Sequence, residues 1–285
     1  MHLPGFIRIT RPANCLVAGG AAIIAYFIAA GSLIPETLFL FVTVLLITAA
    51  GNTINDAYDA AIDAINRPDR PIPSGEMTVR GAGLYSILLF IGGIGAALFT
   101  NPICLAIAVF NTLILIFYAR NLKKAVLIGN LSVAYLSGSI FLFGGALAGI
   151  DGLIITLPLV AITFFGTVSR EILKDAEDID GDAAGGATTF PMVAGLQRSA
   201  AIAFGCAIVA VMASFIPVLW WGLPYLIGIL VVDAAILKSV YSVRQCSTPA
   251  CVRDLHVTKQ LAYLMYAALL IFAVAAGMEI FIPID

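Results

Sequence analysis

The sequence predicts an all-α, polytopic membrane protein, a bundle of about nine transmembrane helices around a central cavity. Three observations carry this. Of its 285 residues 61% are hydrophobic and only 11% are charged, whereas a soluble domain carries roughly 25% charged residues. The apolar residues gather into nine runs, each near the ~20 residues that cross a bilayer as a helix. Every lysine and arginine falls at alternate ends of those runs.

The runs are 12–30, 37–55, 82–100, 102–119, 125–149, 152–169, 199–219, 220–241 and 260–284. The first follows His2, Arg8 and Arg11 as a signal peptide would, but no small-residue cleavage pattern succeeds it, and it reads as a span. Thr100-Asn101-Pro102 separates the third from the fourth, and Pro217, Gly222 and Pro224 mark the turn between the seventh and eighth. Gly92-Gly93, Gly145 and Gly149 read as points of close helix packing. Continuous apolar runs exclude a barrel, whose strands would alternate apolar and polar residues. Nine spans leave no room for a separate soluble domain, so residues 1–285 are expected to form one intramembrane domain.

With nine spans, one side of the membrane receives the N-terminus and loops 56–81, 120–124, 170–198 and 238–259. These hold all 15 Lys and Arg residues. The positive-inside rule then places that side in the cytoplasm and the C-terminus outside. The formal net charge of −2 carries little information, and no nucleic-acid partner is expected. Of five cysteines, Cys15, Cys104 and Cys206 lie in or beside spans as small hydrophobes. Cys246 and Cys251 share a cytoplasmic loop and are expected as free thiols.

Two acidic clusters stand at the cytoplasmic ends of spans. Asn52, Asp56, Asp59 and Asp63 are spaced i, i+4, i+7 and i+11, which puts them within about 60° of arc on one helix face. Glu171, Asp175, Asp178 and Asp182 repeat the spacing 119 residues later, while Glu177 and Asp180 point elsewhere. Gly181 is a place where the second helix could unwind. Like charges in a row disfavour a helix unless a cation neutralises them. Mg²⁺ suits the pattern, because it binds through one or two carboxylates plus water and substrate phosphates. Two facing rows could hold two such ions and a diphosphate.

Asn66-Arg67-Pro68-Asp69-Arg70-Pro71-Ile72-Pro73-Ser74-Gly75 follows the first row. Arginine forks match phosphate oxygens, and the prolines restrict the loop. Arg120, Lys123 and Lys124 add charge after the fourth span. Asn14, after Arg11-Pro12, either lines the site or caps the first helix. Asp233, in the eighth span, faces the bundle interior or reaches the interface. His2 and His256 form no constellation with a nucleophile. Metal-binding acids above apolar walls suit a substrate with a diphosphate head and a hydrocarbon tail. The metal would neutralise the leaving diphosphate, and the cavity would shield the allylic cation from water.

Asn55-Asp56-x-x-Asp59-x-x-x-Asp63 with Arg67-Pro68-x-Arg70-Pro71-x-Pro73-Ser74-Gly75 resembles the first signature of the UbiA superfamily of intramembrane prenyltransferases. Lys174-Asp175-x-Glu177-Asp178-x-x-Gly181-Asp182 resembles the second. Within it, Arg11-Pro12-x-Asn14-Cys15 and Ser169-Arg170-Glu171-Ile172-x-Lys174-Asp175 look like the archaeal digeranylgeranylglyceryl phosphate synthases. Ala183-Ala184-Gly185-Gly186-Ala187 departs from the more charged stretch expected there.

The resemblance implies Mg²⁺ as cofactor, geranylgeranyl diphosphate as prenyl diphosphate donor, and the lipid-like prenylated glyceryl phosphate as acceptor, in the setting of membrane lipid. It implies metal-binding, catalytic roles for Asp56, Asp59, Asp63, Asp175, Asp178 and Asp182. Asn14, Asn52, Asn55, Glu171, Arg67, Arg70, Lys123 and Lys174 would bind substrate. On this reading Asp56→Ala and Asp175→Ala abolish turnover and leave expression normal. The rival enzyme reading is prenylation of an aromatic ring in quinone biosynthesis. An ion-coupled transporter would instead place its acids near the bilayer midplane.

Overall fold

A computed structural model describes residues 3–184 and 187–281. Among these residues every regular element is helical. Among the described residues nine helices are long and apolar enough to cross a membrane. The chain divides into two compact units. One comprises residues 1–122 and 139–155, the other residues 123–138 and 156–285.

The first unit opens with α1 (Gly5–Arg8), α2 (Pro12–Ala30), α3 (Glu36–Tyr58), α4 (Ala60–Asn66), α5 (Val79–Ala97) and α6 (Pro102–Arg120). It also takes the latter half of α7 (Ile128–Leu147) and the start of α8 (Gly149–Glu177). The Asn101-Pro102 break is a helix start: Asn101 accepts a hydrogen bond from Cys104 N at 2.9 Å, and Pro102 occupies the first turn, where its missing N–H costs nothing. Thr78 caps α5 in the same way, accepting from Gly81 N. Leu40, Val44, Ile47, Phe90, Cys104 and Phe143 meet in the buried core. A Cβ on Gly93 would sit 2.7 Å from Ile47, and one on Gly144 would sit 2.5 Å from the carbonyl of Ala22, so both glycines permit close helix approach. Gly149 has the other glycine role. A Cβ there would meet nothing within 4 Å, but its φ of +88° makes the turn between α7 and α8.

The second unit holds the start of α7, the rest of α8, and then α9 (Ile179–Ala184), α10 (Phe190–Ala194), α11 (Leu196–Ser214), α12 (Val218–Val243), α13 (Pro249–Asp254) and α14 (Val257–Phe281). Its core gathers Val168, Ile172, Leu173, Val240, Val243 and Leu261 with small alanines between them. The turn after α11 comes earlier than the apolar run implied, at 215–217, and Gly222 (φ +63°) kinks α12 above its start. Outward faces carry Leu88, Ile91, Leu98 and Leu219 at 63–84% exposure, a surface suited to lipid rather than water. The last residues of the ninth expected run, 282–284, lie outside the described residues.

Asp233 is buried within α12. Ser214 Oγ lies 2.6 Å from its Oδ2, and Tyr225 OH donates to the Ser214 carbonyl. It therefore faces the interior of its unit and not the interface. The cysteines of the 238–259 loop also differ from expectation. Thr248 caps α13, turning the chain so that Cys246 and Cys251 come within 5.5 Å between Cα atoms and form a disulfide.

Candidate active site

The first acidic row begins on α3 and ends on α4. The helix is interrupted at Asp59 (φ −91°, ψ 2°), yet its ladder persists: Asp59 N donates to Asn55 O at 2.9 Å and Asp63 N to Asp59 O at 2.8 Å. Asp56 and Asp63 are buried, at 4% and 6% exposure. Two buried carboxylates require cations, and two arginines supply them. Arg11 Nη2 donates to Asp56 Oδ1 at 2.5 Å, and Arg70 Nη1 lies 3.2 Å from the same oxygen and 2.5 Å from Asp63 Oδ2. The Arg70 loop is tied down by Arg8, which donates to Glu76 and to the Asp69 carbonyl. Asn55 Nδ2 donates to Asp59 Oδ2 at 2.9 Å, while Asn52 Nδ2 donates to the Thr10 carbonyl.

The second row runs from α8 onto α9 and breaks at Asp178, 119 residues after Asp59, at the matching position in the pattern. Here too the ladder continues, with Asp178 N donating to Lys174 O and Asp182 N to Asp178 O. Glu171 is buried and accepts from Arg170 Nη1 at 2.6 Å, with Lys174 Nζ 3.8 Å from its other oxygen. Asp175 accepts from Asn130 Nδ2 at 2.8 Å. Asp178 is exposed and Asp182 half-buried. Burial, and next the Asp178 charge, push the Asp182 carboxyl above the usual carboxylate range; Lys174 opposes them. Glu177 and Asp180 point elsewhere, toward Thr258 and Arg253.

Among the described residues no three Asp, Glu, His or Cys side chains stand close enough to hold an ion alone. Mg²⁺ does not need them to, because water and phosphate complete its shell. The donor set is the hard-oxygen kind it uses. Beside the Asp59 carboxylate, Asn55 Oδ1 is buried without a hydrogen-bond partner, an acceptor left for a ligand or a hydrated cation.

The expected residues thus fall into several situations. Asp56, Asp63 and Arg70 form one network with Arg11; Asn55 and Asp59 adjoin it. Arg67 is exposed. Asn14 is exposed and does not cap α2, whose cap position is Arg11 without a side-chain cap bond. Lys123 lies in a 3₁₀ turn, Leu122–Lys124. Gly185 and Gly186 of the divergent loop lie outside the described residues. Sequence reading missed Arg11 as a carboxylate partner and Asn130 altogether. The only trace of Asn130 is a lone amide at the start of an apolar run.

A membrane bundle with carboxylate rows at two helix ends is the architecture of an intramembrane prenyltransferase, and the UbiA prenyltransferase family matches residues 18–256. The chain belongs to that family and is a prenyltransferase. It is 55% identical to the digeranylgeranylglyceryl phosphate synthase of Methanoculleus marisnigri over 277 residues, covering 97% of this chain and 99% of that one. It is 49% identical to the enzyme of that name from Methanoregula boonei, again covering 97% and 99%. A solved structure concerned with digeranylgeranylglyceryl phosphate synthase in membranes superposes with a TM-score of 0.82 at 35% identity, covering 95% of this chain and 97% of that one. A UbiA homolog from Archaeoglobus fulgidus bound to GPP and Mg²⁺ shares the fold, with a TM-score of 0.60 at 18% identity and coverage of 93% and 99%.

Proposed function

We propose that this enzyme transfers a geranylgeranyl group from geranylgeranyl diphosphate to the hydroxyl of geranylgeranylglyceryl phosphate, making an ether lipid, with Mg²⁺ as cofactor. The observation that carries the reading is 55% identity to a digeranylgeranylglyceryl phosphate synthase over 97% of the chain. The binding of GPP and Mg²⁺ by the Archaeoglobus fulgidus homolog supports the donor class and the metal. Residues 1–285 act as one intramembrane domain, with the N-terminus and the active-site loops in the cytoplasm and the C-terminus outside.

Asp56, Asp59, Asp63, Asp175, Asp178 and Asp182 hold the metal, and Asn52, Asn55 and Glu171 support them. Bound Mg²⁺ supplies Lewis-acid neutralisation of the diphosphate. Arg70 and Arg11 already bear on Asp56; a guanidinium fork can exchange a carboxylate for a phosphate oxygen as the donor head arrives. Arg67, Lys123, Lys174 and Asn14 complete the phosphate and head-group contacts. The allylic C–O bond then breaks, its electron pair leaving on the diphosphate oxygen. The acceptor hydroxyl oxygen adds to the resulting carbocation, and its proton passes to the departing diphosphate or to a row carboxylate. Apolar helix walls keep water from the cation in the interval.

The test is an acceptor screen on purified enzyme with labelled geranylgeranyl diphosphate. Ether product is expected with geranylgeranylglyceryl phosphate and Mg²⁺, and none after EDTA treatment. Product formed only with an aromatic acceptor would replace this reading with ring prenylation.

A further inference from the structure

The second carboxylate row is held from behind, and from this we propose that Glu177 and Thr258 are positioning residues that fix the row for metal binding. The inference rests on the proposed role of that row as a Mg²⁺ site. Thr258 stands in the first turn of α14, and all three of its polar groups are engaged. Its N–H donates to Glu177 Oε1 at 3.2 Å, its hydroxyl donates to Glu177 Oε2 at 2.7 Å, and its carbonyl accepts from Arg170 Nε at 3.3 Å. The Glu177 carbonyl accepts in turn from Arg253 Nε and Nη2, at 3.3 and 3.1 Å. Glu177 is therefore attached through main chain and side chain alike, with both carboxylate oxygens occupied.

Two physical features make this attachment more than a surface contact. The Glu177 carboxylate meets the start of α14, where main-chain N–H groups lack helical partners and the helix dipole favours an anion. Arg170 and Glu177 are seven residues apart, so they share a face of α8, and Glu171, Asp175 and Asp178 lie about 120° around from that face. The grip falls on one side of the helix and leaves Asp175 and Asp178 clear of it on another, although Arg170 also reaches Glu171. It also falls at the joint. α8 ends at Glu177 and α9 begins at Ile179, so the residue that is gripped is the last one before the row passes from one helix to the next.

The first row lacks this device. The residue at the position matching Glu177 is Tyr58, which is exposed, and its acids are instead held by Arg11 and Arg70, which bond to the carboxylates themselves. Among the described residues, the acid of the second row that cations engage is Glu171, through Arg170 and Lys174; Asp175, Asp178 and Asp182 can thus keep their places without a guanidinium bonded to each. Ligand groups need placement within about 0.5 Å, and residues that orient them typically change metal affinity 10–100-fold when lost.

The test compares Glu177→Gln, Thr258→Val, Thr258→Ser and Asp175→Asn in the full-length enzyme, by Mg²⁺ titration of activity, Mn²⁺ binding by electron paramagnetic resonance, and melting temperature. Glu177→Gln and Thr258→Val are expected to raise the Mg²⁺ concentration for half-maximal activity about tenfold and weaken Mn²⁺ binding in parallel. The donor KM at saturating Mg²⁺ should stay unchanged, and Thr258→Ser, which keeps the hydroxyl, should restore wild-type values. Lower melting temperatures with unchanged metal dependence in both variants would reduce the contact to a structural staple and overturn the proposal. Lost turnover with unchanged Mn²⁺ binding would overturn it too, by giving Glu177 a direct role. Asp175→Asn separates the two levels. If it weakens Mn²⁺ binding and the Glu177 and Thr258 variants do not, only the positioning inference fails; if it leaves Mn²⁺ binding intact, the metal role of the row fails as well.

Discussion

Arg11 and Arg70 converge on a single oxygen, Asp56 Oδ1, at 2.5 and 3.2 Å. One guanidinium comes from the start of α2 and the other from the proline-rich loop, so Asp56 joins two segments as well as offering itself to a metal. Arg70 continues to Asp63, seven residues further on. The pattern alone treats the four polar groups of this row alike; their surroundings do not.

Asp56→Asn is therefore expected to lower both activity and stability, because it leaves two guanidiniums facing a neutral amide. Partly screened by solvent at Arg11, the loss is about 2 kcal/mol. This revises the expectation of normal expression drawn from the sequence. Asp59→Asn should lower activity as well. Turnover and thermal melting in detergent, measured beside wild type, check this; a wild-type melting temperature for Asp56→Asn would remove the structural role of Asp56.

Asn130→Leu removes the hydrogen bond to Asp175 while keeping side-chain volume. Asp175 then loses the neighbour that orients it, and the Mg²⁺ requirement should rise about tenfold. Activity measured against Mg²⁺ concentration provides the check, and an unchanged curve counts against an orienting role for the amide.

The raised Asp182 titration has a defined sign. The fold favours its neutral form, so this group stabilises the metal-free protein most below the ordinary carboxylate pKa, and that contribution is lost as pH rises through the folded-state value. In EDTA, Asp182→Asn should consequently melt higher than wild type at pH 8 and show no such gain at pH 4. A gain independent of pH would contradict the assignment.

Thiol counting tests the loop after α12. Unfolded but unreduced protein should expose three reactive thiols, those of Cys15, Cys104 and Cys206, with the Cys246–Cys251 pair appearing only after reduction.

Much of the architecture was legible because a bilayer demands long apolar runs and leaves few alternatives. The run at 37–55 became Glu36–Tyr58, and that at 152–169 became Gly149–Glu177. The second was under-read because Arg170, Glu171 and Lys174 continue the helix beyond its apolar part. The carboxylate spacing was legible for a similar reason, since helical periodicity survives across a joint whose hydrogen-bond ladder persists. The joints themselves were not. Asp59 and Asp178 are neither glycine nor proline, so no backbone signal in the sequence marks the breaks. Arg11, Asn130 and Thr258 were hidden for a different cause. Each acts on a residue at least 45 positions away, and a single sequence records no such pairing.

The interleaving of the two units bears on how the chain is made. Residues 139–155 return to the unit formed by residues 1–122, and Phe143 and Ala146 fill its core beside Cys104 and Ala108. The early helices therefore cannot finish packing as they leave the ribosome; they must wait with an open seam until the α7–α8 hairpin is synthesised. A nascent chain stalled near residue 122 should remain protease-sensitive and a client for membrane chaperones, whereas one extended past residue 155 should close.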